Sequence, residues 1–187
     1  MVRTTAFART SATARRLAGI VTAAAIVLGG ALAPAQASDD RAFAENARAE
    51  ATQCLAMALY HEARGEPVAG QEAVGRVIMN RVDSDYHPDT VCGVVYKNAH
   101  MKNRCQFSFA CDGISDRPKE TKAWSKKLKL AEDLLDCGKT CREQQRAEGG
   151  ISSSTHYHAT YVNPRWAKKL KRTGKVGNHI FYWTATI

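Results

Sequence analysis

Leu55, Ala58, Leu59 and Glu62 fall at i, i+3, i+4 and i+7, so one face of a helix beginning near Ala51 carries three apolar side chains and then a carboxylate. Gly65 and Pro67 predict the end of that helix. Val74, Val77 and Ile78 form a second apolar stripe and predict a helix over residues 70–82, with Glu72 and Arg76 outward as an i,i+4 pair. Trp124, Leu128, Ala131 and Leu135 recur at steps of four, three and four and predict a third helix over residues 119–135. Its other face, with Lys122, Lys126, Lys127 and Lys129, reads as solvated. Residues 83–118 show no period and are punctuated by Pro88, Gly93, Gly113 and Pro118, and residues 136–150 read as a polar excursion. Residues 152–162, rich in Thr, Tyr and Val, predict a strand. On it His156, His158 and Thr160 share one face, and Thr155, Tyr157, Ala159 and Tyr161 the other. A helical turn over residues 164–171 and a strand over residues 179–183 close the pattern. There is no internal repeat. The elements describe an α+β, mainly α, single domain with a small β element.

The front of the chain departs from this pattern. Residues 1–16 carry Arg3, Arg9, Arg15 and Arg16 and no acid, an apolar stretch covers residues 17–32, and Ala35-Gln36-Ala37 precedes Ser38. Basic, apolar and small-x-small regions in that order predict a cleavable export signal over residues 1–37. Its apolar part is shorter than the roughly 20 residues that span a bilayer, so no stable membrane span is expected after cleavage. Residues 38–50, polar and alanine-rich, predict a linker or frayed helix, and residues 51–187 the working domain. Without the four arginines of the signal, the net charge falls from +9 to +5. A basic exported protein suits an anionic polymer outside the membrane, or nucleic acid, and charge alone does not choose.

All six cysteines, Cys54, Cys92, Cys105, Cys111, Cys137 and Cys141, follow the signal. An even count in an exported chain favours disulfides. The short separations 105–111 and 137–141 favour local bridges and leave Cys54 for Cys92. Zinc is the rival reading, but no pair has C-x-x-C spacing.

Glu62 stands where an apolar side chain is expected. A carboxylate there is costly unless it is paired, solvated in a cleft or protonated. Partial burial raises a carboxyl pKa, which is what a general acid working near neutral pH requires. The structural alternative is a buried ion pair with Arg64, Arg76 or Arg81. His61-Glu62-Ala63-Arg64-Gly65 begins like the zinc-protease H-E-x-x-H helix, but Gly65 replaces the second histidine. His156 and His158 could bind a metal from one strand face, with no well-spaced third ligand.

Taken together, four strings resemble the SleB/CwlJ-type cell wall hydrolases. They are Ala58-Leu59-Tyr60-His61-Glu62-Ala63-Arg64-Gly65-Glu66-Pro67, the segment from Gly70-Gln71-Glu72-Ala73-Val74 to Asn80-Arg81-Val82, Gln106-Phe107-Ser108, and Tyr161-Val162-Asn163-Pro164 with Trp166 and Gly177-Asn178-His179-Ile180-Phe181-Tyr182. The resemblance implies a lysozyme-like or lytic-transglycosylase-like domain that cleaves peptidoglycan glycan strands at the MurNAc–GlcNAc β-1,4 bond. It implies Glu62 as the catalytic acid, with Glu66 as a capping or surface residue. Gln106 and Ser108 would then hydrogen-bond the sugars, and His156, His158, Tyr161 and Asn163 would line the groove. Ordinary glycosidases use two carboxylates. No second acid has a comparable setting, since Asp83, Asp85 and Asp89 lie in a polar loop, so a single-acid lytic transglycosylase is expected. No cofactor, metal or nucleic-acid partner is implied, and the oligomeric state stays open. The rival functions are a non-catalytic wall-binding module and a secreted zinc hydrolase. The cysteines point to a periplasm rather than a spore.

Overall fold

The computed structural model describes residues 35–102 and 104–185, with side chains from Ser38 onward. The export signal expected over residues 1–37 therefore lies outside the described residues, apart from the backbone of Ala35–Ala37. Helix α1 spans Ala35–Ala63 and runs straight through the expected linker. Residues 38–50 contain no glycine or proline, and Arg41 and Glu45 form an i,i+4 ion pair there. Every side chain of that stretch is exposed, and burial starts only at Ala51 and Thr52. The predicted start near Ala51 thus marks where packing begins, not where the helix begins.

Helix α2, Val68–Val82, follows a tight corner at residues 64–67. A short helix α3, Val91–Val95, breaks the expected irregular stretch, with the Thr90 hydroxyl accepting a hydrogen bond from the Gly93 N–H at 3.1 Å. Helix α4 spans Thr121–Asp136. Helix α1 packs against α2, α3 and α4, and α2 against α3 and α4. Leu55, Leu59, Val74, Val77, Ile78, Val94 and Val95 are wholly buried between them. Each such side chain contributes roughly 1.5–3 kcal/mol of transfer free energy. Gly75 allows the close approach of α4, since a Cβ at that position would overlap the Leu134 side chain.

The expected residues of α4 do face the core, Ala131 wholly buried and Trp124, Leu128 and Leu135 partly, but Lys127 and Leu134 are buried with them. Lys127 is therefore not solvated: it is only 3% exposed, and its ammonium hydrogen-bonds the Gln71 side chain. The Glu72–Arg76 pair does not form, because the Arg76 guanidinium donates to Gln145 instead. Gln145 belongs to helix α5, Lys139–Ala147, which occupies the expected polar excursion.

Three strands, β1 His156–Ala159, β2 Lys171–Val176 and β3 His179–Trp183, form an antiparallel sheet in the order β1-β3-β2. β3 pairs His179 with Ala159 and Phe181 with Tyr157, and Phe181 is wholly buried in the helical core. β2 was not expected. It is a largely exposed, charged edge strand with an irregularity between Arg172 and Gly174. The three disulfides are Cys54–Cys92, Cys105–Cys111 and Cys137–Cys141, the pairs that the sequence separations favour. The first ties α1 to α3. Among the described residues no helix is long and apolar enough to cross a membrane.

Candidate active site

The last turn of α1, the segment 106–108, strand β1 and the turn after it enclose a cleft of about 420 Å³. Glu62 is the one carboxylate among the described residues that line it. Its Oε2 accepts a hydrogen bond from the Tyr157 hydroxyl at 3.0 Å. Burial raises the pKa of Glu62 above its ordinary value of 4.5, and this outweighs the opposing pull of the Tyr157 hydroxyl, His61 and Arg81. Tyr157 is itself pushed well above its ordinary 10.0, first by burial and then by the charge of Glu62, so it remains a neutral donor.

Arg81 comes from the last turn of α2 and is 4% exposed. Its Nε donates to the Thr155 carbonyl at 2.9 Å, and its guanidinium lies 6.0 Å from the centre of the Phe107 ring. Burial depresses its pKa against the upward pull of Tyr157 and Glu62, but a guanidinium stays cationic in any protein. It acts on Glu62 through its field, while its hydrogen bond is spent on the backbone of the strand segment. His61 stacks on Phe109 at 4.6 Å, and its Nε2 lies 3.1 Å from the Asp116 carbonyl oxygen. A half-buried acid with a raised pKa is a proton donor, and the phenol and the buried cation beside it stabilise the carboxylate left behind.

A family model described as Cell Wall Hydrolase matches residues 65–182. The chain belongs to the cell wall hydrolase family. It is 44% identical over 130 residues to the spore cortex-lytic enzyme of Halalkalibacterium halodurans, covering 69% of this chain and 33% of that protein. Over 68 residues it is 43% identical to the spore cortex-lytic enzyme of Bacillus subtilis (strain 168), covering 36% of this chain and 20% of that one. The chain thus spans about a third or less of the length of these relatives. The catalytic domain of the germination-specific lytic transglycosylase SleB from Bacillus anthracis superposes with a TM-score of 0.50 at 29% identity, over 71% of this chain and 93% of that one. The fold is the mainly helical, lysozyme-like one expected.

Gln106, Ser108, His158 and Tyr161, all within the matched residues 65–182, line the cleft with Glu62, which lies three residues ahead of that match. Tyr161 is 85% exposed at the cleft edge, open to stacking from solvent. His156 and Asn163 are not among the lining residues. His156 packs on Trp166 at 5.3 Å, and burial together with the charge of Arg81 lowers its pKa to about 4, so it is neutral at pH 7. Asn163 is exposed in the turn that follows β1. His158 stacks on Tyr182 at 5.3 Å, with its Nε2 3.0 Å from the Tyr182 hydroxyl.

Glu66 lies outside the cleft. Its carboxylate accepts hydrogen bonds from the Asn178 backbone N–H at 2.8 Å and the Asn178 Nδ2 at 3.2 Å, clasping the turn between β2 and β3. Gly177 has φ +54°, and any Cβ there would overlap Glu66, so the turn needs glycine on both counts. Asp83 is also occupied elsewhere: it takes a two-pronged contact from Arg142 at 2.8 and 2.6 Å and another from Arg146, which hold α5. Burial alone would raise its pKa, but these contacts outweigh burial and lower it. Among the described residues no group of three His, Cys, Asp or Glu is placed to share a metal ion.

Sequence reasoning passed over Tyr157 and His179, both in the cleft wall, and weighed Arg81 only as a salt-bridge partner. The strand alternation separated Tyr157 from His156, but it gave no sign of which face meets α1. The one available signal was the need of Glu62 for a donor.

Proposed function

We propose that the protein cleaves the glycan strands of peptidoglycan at the MurNAc–GlcNAc β-1,4 bond, as a lytic transglycosylase exported to the compartment that holds the wall. The observation that carries this reading is the lone carboxylate of the cleft, held half-buried with a raised pKa and a phenol donor on one oxygen. Tyr157 occupies Oε2 of Glu62, which leaves Oε1 for the substrate. Protonated Glu62 donates to the glycosidic oxygen as the C1–O bond breaks. The resulting carboxylate, steadied by Tyr157 and the Arg81 field, then takes the proton of the muramic acid 6-hydroxyl. That oxygen closes on C1 to give a 1,6-anhydro end, and Glu62 is protonated again. One acid suffices because the sugar supplies its own nucleophile, whereas a hydrolytic route would call for a second carboxylate. Gln106 and Ser108 hydrogen-bond the sugars, and Tyr161 offers a ring to a sugar face. His158 borders the cleft beside them.

The test is mass spectrometry of sacculi digested by the purified protein. Anhydro-muropeptides support the proposal, reducing ends would make the enzyme a muramidase, and no product would leave only a wall-binding role. Glu62→Gln, which keeps shape and loses the proton, is expected to abolish the product.

A further inference from the structure

A second groove, of about 560 Å³, runs between the start of α2 and α4. Its walls carry Arg64, Lys122, Lys126, Lys127 and Lys129 against two acids, Glu72 and Asp133. Arg64 pairs with Glu120 at 3.4 Å, Lys129 with Asp133, and buried Lys127 is held by Gln71. Lys122 and Lys126 are exposed, and none of the groove's ion pairs uses them. They stand at i and i+4 on α4, so their Cβ atoms are about 6 Å apart. Between these cations Val68, Ala123 and Leu130 give the groove an apolar floor, and Val68 is 66% exposed.

The groove is not isolated from the cleft. His61 lines both the cleft and a pocket of about 270 Å³ beside residues 112–120. Arg64 lines both that pocket and the basic groove. His61 and Arg64 are three residues apart on the chain, a rise of about 4.5 Å where it is helical. The cleft and the basic groove thus flank the same stretch of chain, residues 61–64, and the pocket between them carries Asp112, Asp116 and Glu120 beside Arg64, Arg117 and Lys119.

We propose that this groove binds the peptide stems of peptidoglycan, with Lys122 and Lys126 taking stem carboxylates and the apolar floor taking alanine methyls. The assignment rests on the glycan-strand reading of the cleft, since the stems are the anionic branches of that polymer. It makes the enzyme selective for stem-bearing strands over bare glycan.

The experiment uses two substrates, intact sacculi and the same sacculi stripped of stems by an amidase. Lys122→Glu/Lys126→Glu changes only exposed positions of a helix, and circular dichroism checks its fold. Binding is measured in the Glu62→Gln background, so without turnover, by co-sedimentation with intact sacculi in competition with soluble stem-bearing or amidase-stripped glycan strands. The parent is expected to bind intact sacculi more tightly than stripped glycan. The double charge reversal should weaken binding to intact sacculi about tenfold and erase that preference. In the catalytically intact protein the ratio of cleavage rates, stem-bearing over stripped, should fall by a similar factor. Equal binding of intact sacculi by parent and variant, or an equal loss on both substrates, overturns the proposal. So does tighter binding of a single-stranded DNA oligonucleotide than of stem-bearing fragments. Absence of product from either substrate would refute the catalytic reading instead, and the sedimentation result would still decide the groove.

Discussion

Glu62 and Glu66 are four residues apart in the same motif, and Glu66→Ala separates their roles. The substitution removes the carboxylate that accepts the backbone N–H and the side-chain amide of Asn178, at 2.8 and 3.2 Å. Each such hydrogen bond contributes about 0.5–1.5 kcal/mol net, so the pair contributes about 2 kcal/mol. For a domain of about 150 residues this lowers Tm by about 4–8 °C. Thermal unfolding followed by circular dichroism reads that shift. Turnover of sacculi at 25 °C, well below the transition, is expected to fall less than about tenfold, because no atom of Glu66 reaches the cleft. Glu66→Gln, which retains one acceptor oxygen, should lie between the parent and the alanine variant in Tm. If Glu66→Ala abolished turnover while leaving Tm unchanged, the assignment of the two glutamates would be reversed and the mechanism would fail.

Glu62→Gln should cost at least about a thousandfold in turnover while leaving the fold intact. Because the pKa of Glu62 is raised in the folded protein, its favourable contribution is complete below the ordinary 4.5 and is lost as pH rises through the folded value. Glu62→Gln should therefore gain stability over the parent at neutral pH and lose that advantage at pH 4, as measured by urea unfolding at both. Tyr157→Phe removes a hydrogen bond that lowers the Glu62 pKa, so the alkaline limb of the pH–rate profile should move to higher pH. The maximal rate of that variant should fall about tenfold as the carboxyl loses its tether, and an unmoved limb would argue against the contact. Replacing Cys54 and Cys92 by serine opens a closure of 38 residues and should cost about 4 kcal/mol, whereas the four-residue Cys137–Cys141 closure should cost about 2 kcal/mol, both from denaturant midpoints.

Where helices bury an apolar stripe, the sequence read true. Val74, Val77 and Ile78 are wholly buried as the period of α2 predicts, and the terminal strand has the predicted bounds. Elements held by charge or by neighbours left no such trace. Helix α5 buries no residue and is anchored through Arg142 and Arg146 to Asp83, contacts between residues about 60 apart in sequence. Strand β2 is half charged because it is an edge, and it is recruited by pairing with β3 rather than by a hydrophobic pattern of its own. Lys127 shows the same limit on a single side chain: the aliphatic stem tolerates burial once Gln71 satisfies the ammonium, and periodicity cannot anticipate that partner.

The site follows the same rule. Glu62 was legible because it violated its own helix face, but its phenol and its cation arrive from β1 and α2 by tertiary packing. What places Tyr157 against Glu62 is the seating of the sheet on the helices, and Glu66 takes part in that seating by clasping the turn that joins β2 to β3. β3 in turn pairs Phe181 with Tyr157. The five residues from Glu62 to Glu66 therefore carry two linked instructions. The first glutamate is the proposed acid, and the second clasps the hairpin whose strand β3 pairs with β1, the strand that carries Tyr157. A corner of chain between two helices is a natural place for both. The helix end projects Glu62 into the cleft, and the reversal at Gly65 and Pro67 turns Glu66 toward the sheet.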